Sequence, residues 1–289
     1  MALHHRLPSG PLQSFINSLF LFEGCPPSHA KERVLPDGCA QLIINLHEDR
    51  TSVYNRHHPD DRQTFNGVLI VGPQTEFCII DPAELTCVAG VHFKPGGAFA
   101  FLELPIDELH GAHVPLDGLW GNLAGELRER MLEADSIEGK LLELERALLA
   151  IFSKSRSFAK SQPLYPAVRF ALDRFTADSR ARTVGNVVEE TGFSQRYFID
   201  MFRREVGLTP KLFCRVRRFQ RALQRIAAER EVDWASLALE CGYFDQAHFI
   251  HDFRAFSGIN PTTYLQSRPY HPNHVPIRPG EEVNSLQSL

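Results

Sequence analysis

The first half of the chain carries short apolar runs that predict β-strands. The runs are rich in Val, Ile and Leu and are separated by Gly, Pro and Asp, as expected for strands joined by turns. They cover residues 39–46, 67–73, 76–81 and 87–93. After Phe93 the apolar spacing becomes helical, most clearly at residues 116–134 and 136–154. The pattern predicts an α+β chain with a β-rich domain and trailing helices, followed by an all-α domain.

A polar stretch marks the boundary between the two domains. Residues 153–163 are polar and end in proline, so a linker is predicted at residues 156–164. Residues 1–155 then form the β-rich domain, and residues 165–268 form the helical domain. Two domains also agree with the length of 289 residues, because one core rarely grows past about 250–300 residues. The Pro-rich segment 269–289 lacks a pattern and is predicted to be a loose tail.

The helical half contains the same motif twice. TGFSQRYFIDMFRREVGLTP begins at Thr191, and CGYFDQAHFIHDFRAFSGINP begins at Cys241. Each motif follows a short amphipathic segment, and each consists of a glycine turn, a helical run and Gly-x-x-Pro. These are the parts of a helix-turn-helix unit, whose second helix enters the major groove of DNA. The sequence predicts two such units, joined by a long helix at residues 210–228.

Apolar spacing divides the second helix of each unit into a buried face and an outward face. The residues predicted to pack inward are Phe198, Met201, Phe202 and Val206 in the first copy and Phe249, Phe253 and Phe256 in the second. The residues predicted to face outward are Arg196, Ile199, Asp200 and Arg203 in the first copy and Ala247, Ile250, His251 and Arg254 in the second.

Charge is segregated in a way that favours binding to nucleic acid. The net charge of −4 does not by itself indicate a DNA-binding protein. Residues 195–230, however, hold 10 Lys and Arg against 3 Asp and Glu. Some arginines of the long helix could instead pair with Glu229 or Glu231. The arginines available for phosphates on this helix are Arg215, Arg217, Arg218, Arg221 and Arg225.

Cysteine usage and hydropathy predict a cytoplasmic protein that does not enter a membrane. The six cysteines include no C-x-x-C pair, which favours reduced thiols over a disulfide framework. The N-terminus lacks the features of a signal peptide. No apolar run approaches the roughly 18 residues of a membrane span.

Residues 165–268 resemble the DNA-binding domain of the AraC family of bacterial transcription regulators. The resemblance rests on G-F-S-x-R-Y-F (192–198), F-R-R-E-x-G-x-T-P (202–210) and G-Y-F-D-Q-A-H-F…F…G-x-x-P-x-x-Y (242–264). It implies two helix-turn-helix units in adjacent major-groove segments of double-stranded DNA. Together with the outward faces, it predicts contacts to DNA from Gln195, Arg196, Ile199, Asp200, Arg203, Arg204, Arg218, Gln246, Ala247, His251 and Arg254.

Two features depart from the family pattern. The family usually has Arg or Lys where this chain has Asp200. That carboxylate could accept from cytosine N4, orient Arg196 or Arg203, or only adjust the charge of the helix. In the second copy, Ala247 and Ile250 are apolar and suit thymine methyl groups, whereas His251 either reads a base or is a surface residue without a role.

Residues 1–155 are similar, less specifically, to a cupin-like domain that precedes this DNA-binding domain in some AraC-type proteins. The motifs are LPDGCAQLIINL (35–46), VGPQTEF (71–77), GVHFKPGGAFAFLELPIDEL (90–109) and VPLDGLWG (114–121). The resemblance implies a domain that binds a small effector or mediates dimerisation.

The predicted effector site consists of His92, Lys94, Gly96 and Gly97. Free N–H groups at a helix start attract anions, but the same Gly-Gly pair could simply form a tight turn. No metal site is predicted, because no His-x-His pair has a further histidine at suitable spacing. No cofactor is predicted.

The sequence favours a non-enzymatic regulator that binds duplex DNA and responds to an effector at residues 1–155. A second copy of the chain and RNA polymerase are its other candidate partners. One alternative is a repair or modification enzyme fused to a DNA-binding domain, although G-x-S-x-G, H-E-x-x-H and P-C-x-x-C are missing. The other alternative is a DNA-binding protein that needs no ligand.

Overall fold

A computed structural model describes residues 2–58, 60–159, 164–177, 183–229, 231–267 and 269–278. Two antiparallel sheets form the N-terminal half and helices form the C-terminal half, which confirms the predicted fold class. The strands are β1 Ala2–Arg6, β2 Ile16–Glu23, β3 Lys31–Val34, β4 Gln41–Asn45, β5 Arg50–Tyr54, β6 Arg62–Asn66, β7 Val68–Val71, β8 Cys78–Ile80, β9 Cys87–Phe93, β10 His113–Pro115 and β11 His274–Ile277.

The six-stranded sheet packs one face against helices. Its strand order is β1-β2-β9-β4-β7-β10. Leu42 and Ile44 of β4 and Ala89 and Val91 of β9 alternate toward these helices and are buried, which is the period of two that a half-covered strand shows. The helices of this half are α1 Phe99–Leu102, α2 Asp117–Trp120, α3 Leu123–Glu133 and α4 Ile137–Ala159; 3-10 turns lie at Gly10–Ser14 and Ile106–Leu109.

The predicted start of the linker is wrong. Helix α4 continues to Ala159, although the linker was predicted from residue 156. The segment SKSRSFA contains neither proline nor glycine, so nothing in it ends a helix that is already formed. Residues 160–163 of the predicted linker lie outside the described residues.

The prediction of a loose tail is also wrong for part of its length. His274–Ile277 form β11, which pairs antiparallel with β3 at the edge of a five-stranded sheet of order β11-β3-β8-β5-β6. Val275 is buried. The exposed edge of β3 offers unpaired backbone groups, and β11 satisfies them. Residues 279–289 of the predicted tail lie outside the described residues.

Two separate aromatic cores hold the helical half together. The first core surrounds Phe198, Phe202 and Phe213. The second core surrounds Phe219 and Phe253, whose rings lie 5.2 Å apart. The helices are α5 Pro166–Ala177, α6 Val184–Thr191, α7 Gln195–Val206, α8 Pro210–Ala228, α9 Trp234–Glu240, α10 Gln246–Ser257 and α11 Pro261–Ser267.

The second core continues into the N-terminal half. Leu35, which follows β3, and Val275 of β11 are buried members of it, and Phe77 packs against it. Gln220 of α8 also donates from Nε2 to the Pro36 carbonyl at 2.7 Å. The second helix-turn-helix unit is therefore packed onto the edge of the five-stranded sheet. Within the described residues, no helix is both long enough and apolar enough to span a bilayer.

Two half-buried histidines should make the protein less stable as the pH falls from about 6.5 to about 4. Burial lowers the pKa of His92 and of His113 to about 4. Below pH 6.5 the unfolded chain binds protons that the folded chain does not bind, so the free energy of unfolding decreases until the pH reaches the folded pKa. Urea unfolding across this pH range measures the decrease.

Variants of single groups test this assignment. His113 packs against Phe65, so His113→Phe should keep the packing and flatten the decrease in stability. Glu205 acts in the opposite direction, because burial raises its pKa to about 7 and the folded state holds its proton between pH 4.5 and 7. Glu205→Gln should therefore steepen the decrease. An unaltered pH profile in His113→Phe would contradict the role of that histidine.

Candidate nucleic-acid interface

The first helix-turn-helix unit consists of α6 and α7. The Thr183 hydroxyl caps α6 by accepting from the Asn186 N–H, and the Ser194 hydroxyl caps α7 by accepting from the Tyr197 N–H. Between them Gly192 has φ +75, a left-handed conformation that glycine adopts without strain. These caps fix where α6 ends and where α7 begins.

The outward face of α7 lies where the apolar spacing predicts it. The four residues predicted to pack inward are buried. The N-terminal turn of a recognition helix enters the groove first, and here it offers an amide, a guanidinium and a carboxylate. The exposed residues of α7 are Gln195, Arg196, Tyr197, Asp200, Arg203 and Arg204, and Ile199 is half-buried.

The second unit repeats this construction with α9 and α10. Asp233 caps α9 by accepting from the N–H groups of Ala235 and Ser236, and Asp245 caps α10 by accepting from the His248 N–H at 2.7 Å. The carboxylates also complement the positive ends of the helix dipoles. The outward residues of α10 are Gln246, Ala247, His251 and Arg254, all exposed, with Ile250 half-buried.

Helix α8 connects the two units and uses several of its arginines internally. Arg215 donates from Nη2 to Oδ1 of the buried Asp252 of α10 at 2.7 Å. Its guanidinium also lies over the Phe256 ring, 5.3 Å from the centroid. Arg225 pairs with Glu229 and with Glu240 of α9. These ion pairs fix α8 against the second unit.

Arg218, which was predicted to contact DNA, also packs against the second unit. Its guanidinium lies over the Tyr243 ring, 5.2 Å from the centroid, and Nη1 donates to the Gly242 carbonyl at 3.3 Å. The side chain is half-buried at the turn that precedes α10. Arg218 therefore positions that turn, and the sequence pattern gives no sign of this because the partner is 24 residues away.

The C-terminal end of α7 contacts the N-terminal half. Arg203 Nε lies 3.0 Å from Oδ2 of Asp107, in the 3-10 turn Ile106–Leu109. Gly207, which ends α7 with φ +86, is so close to Ile106 and Pro73 that an added Cβ would lie 2.8 Å from each. Arg203, which was predicted to contact DNA, therefore forms an ion pair with the N-terminal half.

Sequence reasoning missed three exposed aromatic residues beside the two outward faces. Phe193 and Phe244 occupy equivalent places in the two turns, and Tyr197 lies in the first turn of α7. A sequence signal could have identified them: each is a large aromatic residue close to a helix cap and outside the apolar face that packs inward. Phe193 packs against Tyr197 at 5.3 Å, whereas Phe244 is 86% exposed.

The four predicted effector-binding residues lie in different surroundings. Lys94 Nζ donates to the Gln13 carbonyl at 2.7 Å. The Gly97 N–H donates to the Lys94 carbonyl, and a Cβ on Gly97 would lie 1.9 Å from the Phe15 carbonyl oxygen. Because Lys94 and Gly97 donate to groups within the protein, the geometry favours the tight turn over an anion site.

The other two predicted effector-binding residues, Gly96 and His92, lie at two further places in the structure. Gly96 has φ +75 and lies against Leu164, which precedes α5, so it belongs to the contact between the two halves. His92 packs against Phe20, with 4.7 Å between the ring centroids, on the face of the six-stranded sheet that points away from the helices. Of the four, only His92 faces the space toward the second sheet.

Three thiols of the N-terminal half, those of Cys39, Cys78 and Cys87, do not have the chemistry of activated nucleophiles. Burial raises the pKa of Cys39, of Cys87, and of Cys78 to about 12. A nucleophilic cysteine needs a lowered pKa, because the thiolate is the reactive form. In the described part of the chain, no cluster of three or more His, Cys, Asp or Glu side chains is arranged to hold a metal ion.

Comparisons with known proteins match both halves of the chain. Residues 187–267 match a family described as "Helix-turn-helix domain", and residues 4–115 match one described as "Domain of unknown function (DUF6597)". The probable transcriptional regulator LumQ of Photobacterium leiognathi is 34% identical over 71 residues. That alignment covers 25% of this chain and 28% of LumQ, so the chain matches little more than a quarter of that relative.

Several solved structures show a distant likeness. ToxT from Vibrio cholerae O395 is 9% identical, with a TM-score of 0.43 over 86% of this chain and 95% of that one. Unsaturated fatty acid bound wild-type ToxT from Vibrio cholerae strain SCE256 is 11% identical, with a TM-score of 0.43 over 86% and 93%. Likeness at this level carries no argument about ligands.

The capped helix pairs and the family match identify residues 187–267 as a helix-turn-helix domain, as the motifs predicted. Residues 4–115, which precede it, match the DUF6597 family.

Proposed function

We propose that the protein is a sequence-specific transcription regulator that reads duplex DNA with α7 and α10. The observation that carries the proposal is the repeated construction of the two units. Each has a capped helix whose N-terminal turn is exposed, and α8 connects both through buried contacts. One recognition helix reads only a few base pairs, so two on a common connector specify a longer site.

The test is selection of preferred sequences from a random DNA pool with the purified full-length chain at a stated salt concentration. Two short elements about one helical turn apart support paired reading, since successive major-groove faces lie roughly 34 Å apart. A single element would leave the second unit as an anchor. A pool in which no sequence is enriched, with or without candidate effectors, would overturn the proposal.

Arg196→Ala should weaken binding to the selected site by about 1–3 kcal/mol, with much less effect on random DNA. Arg196 is exposed in the first turn of α7, where a guanidinium can donate two hydrogen bonds to guanine. Fluorescence anisotropy with both DNAs measures the two affinities.

Arg204→Ala is the matched control for that variant. It removes the same charge from the last turn of the same helix, so it should weaken binding to both DNAs by similar factors. Equal losses on the two DNAs in Arg196→Ala would show that this residue contacts only phosphate.

We further propose that the N-terminal half receives a small effector, with His92 on the receiving face. Helix α7 contacts Ile106–Leu109, and the second core contains Leu35, so both units touch the N-terminal half. A ligand bound there could therefore change the position of either unit. A ligand alters DNA affinity only as far as its affinity for the two arrangements differs. We propose that this regulator acts in the cytoplasm and has no enzymatic activity. We also propose that it forms dimers and contacts RNA polymerase.

The effector proposal is tested by melting the protein against a panel of metabolites. A ligand that raises the melting temperature of the wild-type chain should do so less in His92→Phe, which keeps the ring contact with Phe20. If no metabolite shifts the transition, the protein binds DNA without an effector.

A further inference from the structure

The two units present different chemistry to DNA. Beside the cap of α7 the exposed side chains are the polar Gln195, Arg196 and Asp200 and the paired rings of Phe193 and Tyr197. Beside the cap of α10, Gln246 is exposed, and apolar surface comes from Phe244 before the helix and from Ala247 and Ile250 on its outward face. Ala247 and Ile250 are three residues apart and so share one side of the helix. We call Phe244, Ala247 and Ile250 the apolar strip.

The exposure of Phe244 has a local structural cause. In the first unit the equivalent residue, Phe193, is partly covered by the Tyr197 ring, which packs against it at a tilt and leaves it 40% exposed. In the second unit His248 occupies the place of Tyr197, but its ring packs edge-on against Tyr243 at 5.3 Å. The His248 Nδ1 also accepts from the Phe244 N–H at 3.4 Å. With His248 held in this way, the Phe244 ring is left uncovered.

A cavity of about 300 Å³ opens beside Ile250. Its wall is formed by Ile250, Gln246, Trp234 and Asn260 through Thr263, so it contains polar as well as apolar side chains. Ile250 therefore belongs both to the strip and to this cavity. The chemical group that an apolar strip can recognise in the major groove is the C5-methyl of thymine, since the other base edges offer only hydrogen-bonding atoms.

We infer that the second unit recognises thymine methyl groups through the apolar strip, with Phe244 as its principal contact. This inference rests on the proposed function and assigns a base preference to one of its two units. The first unit then recognises bases by hydrogen bonding and the second by burial of methyl groups. The selected DNA element under α10 is therefore rich in thymine at the positions that it faces.

The experiment replaces thymines of the selected site with deoxyuridine, one position at a time. Deoxyuridine lacks only the methyl group and pairs in the same way. At one or two positions under α10, affinity should fall about fourfold, which corresponds to the roughly 0.8 kcal/mol of one buried methyl-sized group. Phe244→Ala should weaken binding to the thymine site by a similar factor and bind the deoxyuridine site with no additional loss.

Two controls make the result specific. Phe193→Ala removes the equivalent ring of the first unit and should leave the deoxyuridine effect under α10 intact. Deoxyuridine under α7 should affect wild type and Phe244→Ala equally. Because Phe244 is exposed, its removal should not alter the melting temperature.

Three outcomes would overturn the inference. A selected site without thymine under α10, or with thymines that tolerate deoxyuridine, excludes methyl recognition while the proposed function stands. A deoxyuridine effect that persists at full size in Phe244→Ala excludes Phe244 as the contact. If the pool gives no preferred sequence, the proposed function itself fails, and this inference fails with it.

Discussion

Gly207→Ala should lower the free energy of unfolding by about 2–5 kcal/mol, because two costs combine at this position. Gly207 ends α7 with φ +86, where an L side chain strains the backbone. An added Cβ would also lie 2.8 Å from Ile106 and from Pro73 of the N-terminal half. Urea unfolding of the full-length chain measures the change.

Gly192→Ala separates these two costs. Gly192 ends α6 with φ +75, but its Cβ would meet no atom within 4 Å. Only the backbone strain remains, so the free energy of unfolding should fall by about 1–2 kcal/mol. The excess in Gly207→Ala then measures how firmly α7 is held against the N-terminal half. Equal losses in the two variants would mean that α7 leaves this contact at little cost in solution.

Phe253→Ala should lower the free energy of unfolding by about 3–5 kcal/mol and should affect both halves of the protein. Phe253 is fully buried, with rings of Phe219, Phe249 and Tyr264 within 5.6 Å of its own. Its core includes Leu35 of the N-terminal half. Loss of the ring therefore weakens a core that the two halves share.

The two tryptophans allow each half to be followed by fluorescence. Trp234 stacks on Phe249 in the second unit, and Trp120 donates its indole N–H to the Phe101 carbonyl in the N-terminal half. In a Trp234→Phe background, Phe253→Ala should shift the unfolding transition reported by Trp120 to lower urea concentration.

Phe202→Ala in the same background is the control. It removes an equally buried ring from the first core, whose described members include no residue of the N-terminal sheets. It should shift the Trp120 transition less than Phe253→Ala does. If the transition reported by Trp120 has the same urea midpoint with and without the Phe253 ring, the two halves do not share the second core in solution.

The sequence pattern predicted helices α7 and α10 well, because apolar periodicity and helix capping depend on residues close together in the sequence. Phe198 and Phe253 are buried where a period of 3.6 places them, and Ser194 and Asp245 cap the helices that follow. The presence of two units also follows from the amino-acid sequence, because the same motif occurs twice.

Features that depend on distant partners escaped prediction. The contact of the Arg218 guanidinium with the Tyr243 ring joins residues 25 positions apart, which no local pattern indicates. His274–Ile277 carry too short a pattern to mark a strand, and only the open edge of β3 gives this segment a partner. The exposure of Phe244 depends on the orientation of the His248 ring, which no periodicity specifies.

The pairing of β11 with β3 also has a consequence for biosynthesis. The five-stranded sheet receives its edge strand only after the ribosome has produced the entire helical half, so its last step has a very high contact order. Until then the edge of β3 is open and can pair with the same edge of another nascent chain. Early termination before residue 274 should therefore leave a product prone to aggregate, even though both helix-turn-helix units are complete.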